Sequence, residues 1–469
     1  MTRALVALLV AVAALLLAGP VPAATRTDVA IPMDDGVSLA ATLVLPDGPA
    51  PPGGRPAIVF LHGLAGNRAQ TLAIAEQYGF AGGDYAVLAF DARGHGDSGG
   101  LVSINGPREI ADTQAVFQWL AARPDVADAK IGAWGISYGG GAILNSLAAG
   151  VPWAAVEVAE TWTDLYEALV PQGLVKSGLV AGLAGSIPDA RKAPEVSAIQ
   201  AAAFAGTASA TVRAWAAARS SLGRLAGVRT PVFFMQGRRD FLFGLDQASR
   251  AFARLAGPKR LWIGNHGHAP STFPAVDTAA MLREGRQWFD RFLRGVDNGI
   301  DRRPRVFVAA EGRATGTSFS ALPQTGKVTV PLGTPRVTAR KVVATSAQLA
   351  ASLEVLGSPL VRVTATTSGG WARLVAVLTA RTPAGKEIVV SAGGVPARNG
   401  TRTYAIRLVD QATVLPARSR LTVTIGSSTL AQSPGNILYL ELPQPRAARI
   451  AAVRAVGLTL PTLVRPSTT

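Results

Sequence analysis

The sequence predicts an α/β protein: a mostly parallel sheet flanked by helices, a helical cap inserted into it, and a C-terminal β-sandwich. Three observations carry this. Largely apolar runs at 57–61, 85–90, 153–159 and 231–236 alternate with helix-like stretches, as in βαβ units whose strands are covered on both faces. Residues 161–227 break that rhythm with Ala-rich, helix-prone sequence interrupted by Gly182, Gly185, Pro188 and Pro194. From about residue 304 short β-type runs recur between turn residues, the spacing of an antiparallel sandwich.

At the N-terminus, residues 1–23 read as a secretory signal. Arg3 precedes the apolar stretch 4–18, Gly19 and Pro20 break it, and cleavage is expected after Ala23. The expected location is secreted or periplasmic. The stretch is short for a membrane span and no later run of about 20 apolar residues follows, so no stable membrane insertion is expected. With no cysteine, disulfides and a lipoprotein anchor are excluded. The net charge of +16 is spread along the chain, with arginine far outnumbering lysine. No basic run interleaved with aromatics points to nucleic acid. Weak association with an anionic cell wall is the partner that charge would favour, although an Arg-rich composition accounts for it without one.

Residues 27–45 read as a hairpin turned at Asp34-Asp35-Gly36, and 46–54 as a Pro/Gly loop. Strand 57–61 runs into His62-Gly63-Leu64, and strand 85–90 into the loop 91–99. An amphipathic helix spans 107–122, followed by the apolar strand ending at Gly135-Ile136-Ser137-Tyr138-Gly139. Within the cap, Trp162, Tyr166, Phe204 and Trp215 are pocket candidates, although packing between cap and core would equally explain each. Strand 231–236 leads into Gly237-Arg238-Arg239-Asp240, then helix 246–256, strand 260–263, the loop 264–268 and a helix over 277–294. Sandwich strands are expected at 306–308, 327–330, 360–364, 373–378, 387–390, 402–406, 421–425 and 437–442. No element is expected after about 445.

The chemistry is concentrated at strand ends. A G-x-S-x-G turn between an apolar strand and a small-residue helix is a nucleophile elbow. It forces Ser137 into a strained backbone with its hydroxyl exposed, and side chains at 135 and 139 would collide with the turn. The helix N-terminus beside it favours a developing oxyanion, through the Tyr138 N–H and a second candidate donor, the Leu64 N–H. Asp240 lies beyond a later strand and His268 beyond the next, in the chain order Ser, Asp, His. Asp246 is an alternative acid that reads better as a helix N-cap. Among the four histidines, His62 and His95 sit in loops whose geometry they fit, and His266 competes with His268 for the role of base. The pair at 266 and 268 lacks the further ligands a metal needs, so neither metal nor cofactor is expected.

These motifs resemble the α/β-hydrolase fold. The helical insertion before the acid strand, the segment 288–298, the appended sandwich and the stretch 353–361 are narrower. Together they resemble the Xaa-Pro dipeptidyl-peptidase/cocaine esterase family across nearly all of the chain after residue 23. The resemblance implies a jelly-roll-like C-terminal domain over 304–469 and a hydrolase domain over 24–303. It maps the base onto His268 and puts His266 at an aromatic, pocket-facing position. It also implies a tyrosine hydroxyl in the oxyanion hole, where this chain has His62-Gly63-Leu64.

The expected activity is cleavage of an ester or amide through a Ser137–His268–Asp240 triad and an acyl-enzyme, with carboxylic-ester hydrolysis first. Release of Xaa-Pro dipeptides competes with it, and needs a carboxylate for the free amine, for which Glu157, Glu160, Asp164 and Glu167 are candidates. Acyl transfer to an alcohol and a non-catalytic wall-binding scaffold are the remaining alternatives.

Overall fold

The computed structural model describes residues 24–205, 210–268, 271, 273–429 and 438–465. The expected signal at 1–23 lies outside them. The chain opens with an antiparallel hairpin, β1 (Ala24–Pro32) and β2 (Ser38–Pro46). Gly36 takes φ +80° at its turn, a value that disfavours other residues. Then follow β3 (Arg55–Leu61), α1 (Arg68–Gln77), β4 (Ala86–Phe90), α2 (Pro107–Ala121), β5 (Val126–Ile136), α3 (Tyr138–Ala148) and β6 (Ala155–Ala159). The cap comprises α4 (Leu165–Leu169), α5 (Ser177–Gly185), α6 (Pro194–Phe204) and α7 (Ala210–Ala217). After it come β7 (Val232–Gly237), α8 (Leu245–Arg254), β8 (Lys259–Gly264), α9 (Thr278–Arg294), β9 (Val306–Ala309) and β10 (Gly316–Phe319).

These strands form one ten-stranded sheet in the order β1-β2-β4-β3-β5-β6-β7-β8-β9-β10. It is parallel from β4 through β9. Its two faces are covered by separate apolar clusters. One includes Val59, Ala133, Ile143 and Phe234, and the other Phe60, Trp134, Trp288 and Phe289. Alternate residues of a strand point to opposite faces, so a strand buried on both must be apolar throughout.

Residues 306–308, expected to open the sandwich, instead pair parallel to β8, and β10 closes the edge of the same sheet. The hydrolase layer therefore continues to Phe319, past the boundary expected at 304. The sandwich has a six-stranded and a five-stranded antiparallel sheet. Val363, Trp371, Leu378 and Ile406 belong to its core. The segment after 445, expected to hold no element, is the strand Arg449–Leu463, which pairs with Leu360–Ser368, Leu353–Gly357 and Thr325–Val330. The described residues of the expected strand 437–442 form no strand.

Candidate active site

The elbow at the end of β5 has the predicted strain. Ser137 sits at φ +53°, ψ −111°, outside the helical and extended regions. Its glycines are required by contact: a Cβ on Gly139 would lie 2.2 Å from the Leu61 carbonyl oxygen, and one on Gly135 2.7 Å from the Gly139 carbonyl carbon. The turn is also held by Ser137 N–H donating to Ala159 O (2.8 Å) and by Thr161 Oγ1 donating to Ser137 O (2.7 Å).

Three side chains from three strand ends meet there. His268 Nδ1 lies 2.8 Å from Asp240 Oδ2, and Nε2 lies 3.2 Å from Ser137 Oγ. Asp240 is fully buried and satisfied: Oδ1 accepts the Leu242 and Phe243 N–H groups, each at 2.9 Å, and Oδ2 also accepts Gln236 Nε2 at 3.2 Å. An ionised carboxylate so held keeps the proton on Nδ1 and turns the free Nε2 lone pair to the serine. Burial alone would lower the His268 pKa. The Asp240 charge, its hydrogen bond and the nearby Glu160 outweigh that and raise it to about 9. Phe243 packs its ring edge to face on the imidazole, with centroids 5.5 Å apart.

Tyr138 is the first residue of α3, so its N–H has no intrahelical acceptor and points with the helix dipole toward the elbow. Its phenol is engaged elsewhere, donating to Glu109. Leu64 lies beside Ser137 on the wall of a cavity. The His62 ring shapes that loop: Nε2 accepts the Ala92 N–H at 3.0 Å, leaving Nδ1–H to donate to Gly63 O at 2.7 Å.

The cavity opens at Ser137 and runs under the cap, with about 980 Å³ of space including its mouth. Trp162, Tyr166 and Trp215 line it; Phe204 does not. Trp162 is also a packing residue, its Nε1 donating to Arg219 O at 2.8 Å. Tyr166 Oη and Trp215 Nε1 are buried in that wall without a hydrogen-bond partner. His266 departs from its expected pocket position. Its ring is buried behind the loop, where a Cβ on Gly264 would strike it, and Nε2 lies 3.4 Å from Glu160 Oε1. Burial lowers its pKa to about 4, so it is neutral there. Asp246 does not reach His268, and it is not the N-cap expected of it: Gly244 caps α8, and Asp246 lies in the first turn, its side chain 36% exposed beside Arg250.

Sequence reasoning missed four groups. Thr161, Gln236 and Phe243 are ordinary residues whose roles depend on tertiary contact. Gln411, from the sandwich, donates to the Asp240 main-chain oxygen at 2.8 Å. The sandwich grips the acid loop at further points: Ala412 N–H donates to Arg238 O (2.7 Å), Leu245 N–H donates to Asp410 O (3.1 Å), and Arg238 pairs with Glu354 (2.9 Å).

A serine on a strained strand-to-helix turn, facing a histidine and an aspartate beyond later strands of one parallel sheet, defines an α/β-hydrolase-fold protein. Residues 35–270 match the X-Pro dipeptidyl-peptidase (S15) family, and the chain belongs to that family. An uncharacterized protein of Mycobacterium tuberculosis is 34% identical over 156 residues, covering 32% of this chain and 52% of the relative. The chain spans about half the length of the curated relatives it matches. Among solved structures, a CocE/NonD family hydrolase from Staphylococcus aureus superposes with TM-score 0.69 at 14% identity, covering 94% of this chain and 92% of that one. An α-amino acid ester hydrolase gives TM-score 0.69 at 15% identity, with 97% and 100% covered. At such identities the likeness is one of fold, and it extends through the sandwich.

Proposed function

We propose that the protein is a serine hydrolase of carboxylic esters in which Ser137 is the nucleophile, His268 the general base and Asp240 its orienting acid. The observation that carries this is the continuous contact from Asp240 through His268 to Ser137, opening on an apolar cavity. Ser137 Oγ bonds to the acyl carbon as its proton passes to His268 Nε2. The oxyanion is held by the Tyr138 and Leu64 N–H groups. His268 then protonates the departing alcohol oxygen as the ester C–O bond breaks. Water, deprotonated by the same nitrogen, repeats the cycle on the acyl-enzyme and releases the acid. Each step uses only these groups and water.

Family membership favours a second reading, release of Xaa-Pro dipeptides. That reaction needs a carboxylate for the substrate's free amine, and the carboxylates expected to supply one are otherwise placed. Glu157 lies under the sheet against Tyr78, Glu160 faces His266, and Asp164 caps α4. None of these, nor Glu167, lines the cavity. Comparing kcat/KM on p-nitrophenyl butyrate and Ala-Pro-p-nitroanilide decides between them. Ester turnover alone supports the esterase; anilide turnover that vanishes when the amine is blocked overturns it. The leader-like composition of residues 1–23 supports export of the mature protein, and the basic surface that follows would tolerate an anionic wall.

A further inference from the structure

The cap cavity is larger than a short ester requires, and its wall is built for a hydrocarbon. All four cap helices contribute apolar side chains, among them Leu169 from α4, Val180 and Leu183 from α5, Val196 and Ile199 from α6, and Val212 from α7. Among the described residues no aspartate or glutamate lines it; Lys192, paired with Asp189 at 2.7 Å, is its one charged side chain and Gln200 its one amide. Several of these side chains, Val180, Leu183 and Ile199 included, are only half-buried: they pack on one side against the cluster of Trp162, Leu165 and Tyr166 and on the other border the cavity. Protein interiors close such space when they can, because an apolar wall without partner atoms forfeits dispersion energy. Away from Ser137, polar ligand atoms would find replacement for their hydration only at Tyr166 Oη, Trp215 Nε1, Lys192 and Gln200, in a wall that is otherwise apolar.

The side of the ester that enters follows from the lining. Ser137, Tyr138 and Leu64 border the cavity, whereas His268 does not. The leaving alcohol must stand where His268 Nε2 can protonate it, on the histidine side of Ser137. The acyl side therefore faces the cap. We infer that the cavity is an acyl-chain site and that the substrates are esters of lipophilic, medium- to long-chain acids. The inference rests on the esterase reading of Ser137. In the reaction, Ser137 Oγ–acyl bond formation accompanies ester C–O cleavage, the alcohol leaves with the proton held by His268, and water then releases a fatty acid with its chain withdrawn from the cap.

The test is kcat/KM for p-nitrophenyl acetate, butyrate, octanoate and laurate, beside butyrate esters of ethanol and hexanol, with Ser137 labelling by a fluorophosphonate as control. Burial predicts a rise of about two- to four-fold for each methylene added, compounded along the series from acetate to octanoate. The two alcohols should differ by less than about three-fold. Ala203→Trp and, independently, Ala184→Trp fill the cavity wall. Within either variant the octanoate-to-acetate ratio should fall by about ten-fold or more. A flat or falling acyl series with Ser137 still labelled overturns the acyl site and leaves the esterase standing. A series that responds to the alcohol instead also overturns it, as does an unchanged ratio in both folded variants. Absence of both ester turnover and labelling overturns the esterase reading, and this inference with it.

Discussion

Gln411, carried by the β-sandwich, is fully buried and holds the main-chain oxygen of Asp240 at 2.8 Å. The acid that orients His268 is thus clamped by one domain while standing on a strand end of the other. Gln411→Leu keeps the volume and removes the donor. It should cost about 1–3 kcal/mol of stability, the price of a buried carbonyl left unpaired. As the loop drifts, kcat should also fall by roughly ten- to hundred-fold. Thermal melting and steady-state kinetics on the same preparation measure both.

Ser137→Ala and His268→Ala should each lower kcat by about 10⁴-fold or more with the fold intact, as circular dichroism and Tm would show. His266→Ala should instead keep turnover within about ten-fold, because the ring lies behind the loop against Glu160. It should lower Tm, since it empties a buried site.

In the proposed mechanism His268 must be neutral to take the serine proton, yet its pKa is raised from 6.5 to about 9. Activity should therefore climb with pH on the alkaline side of neutrality, read as the acid limb of kcat/KM between about pH 6 and pH 10. The stability contributed by the His268–Asp240 contact runs the other way. A raised pKa means the folded state binds the proton more tightly, so this stability is fully present below 6.5 and is lost as pH rises through about 9.

Glu160 is a buried carboxyl whose pKa burial raises to about 8, and it is one of the groups holding the His268 pKa up. Glu160→Gln removes that charge without changing shape. The acid limb of kcat/KM should move to lower pH, a displacement that a purely structural role for Glu160 would not produce.

Gly139→Ala places a methyl 2.2 Å from the Leu61 oxygen, a backbone atom that has no room to give. The expected cost is about 3 kcal/mol or more, seen as lost soluble expression or a lowered Tm.

The parallel sheet and the three residues that meet at the elbow were legible because each sits at the end of an apolar run, where the chain order alone suggests that they converge. His266 and His268 differ by two residues, and only the path of the loop decides which ring turns outward. Of the cavity only the aromatic wall of Trp162, Tyr166 and Trp215 was legible. Leu183, Ile199 and Ala203 in Ala-rich helices look like packing residues until the space beside them is seen. The run 306–309 is too short to tell a parallel strand from a sandwich strand. Arg449–Leu463 lacks clean alternation because much of it is only partly covered, with register shifts against Leu360–Ser368. The Gln411 clamp joins positions 171 residues apart, which no local pattern encodes.

The strand Arg449–Leu463 lies inside its sheet, hydrogen-bonded on both sides, yet follows in sequence every other strand among the described residues of the sandwich. As the chain leaves the ribosome, Leu360–Ser368 and Leu353–Gly357 must wait with open edges for the central piece between them. Gln411 pairs with Gly357 of one of those waiting strands, so the sheet that seats it on Asp240 is completed only when the piece arrives. The hydrolase sheet can form first, with Asp240 then held only by its own loop and Gln236. A chain cut short before Arg449–Leu463 should therefore hold Asp240 less firmly and, under the proposed function, hydrolyse esters more slowly.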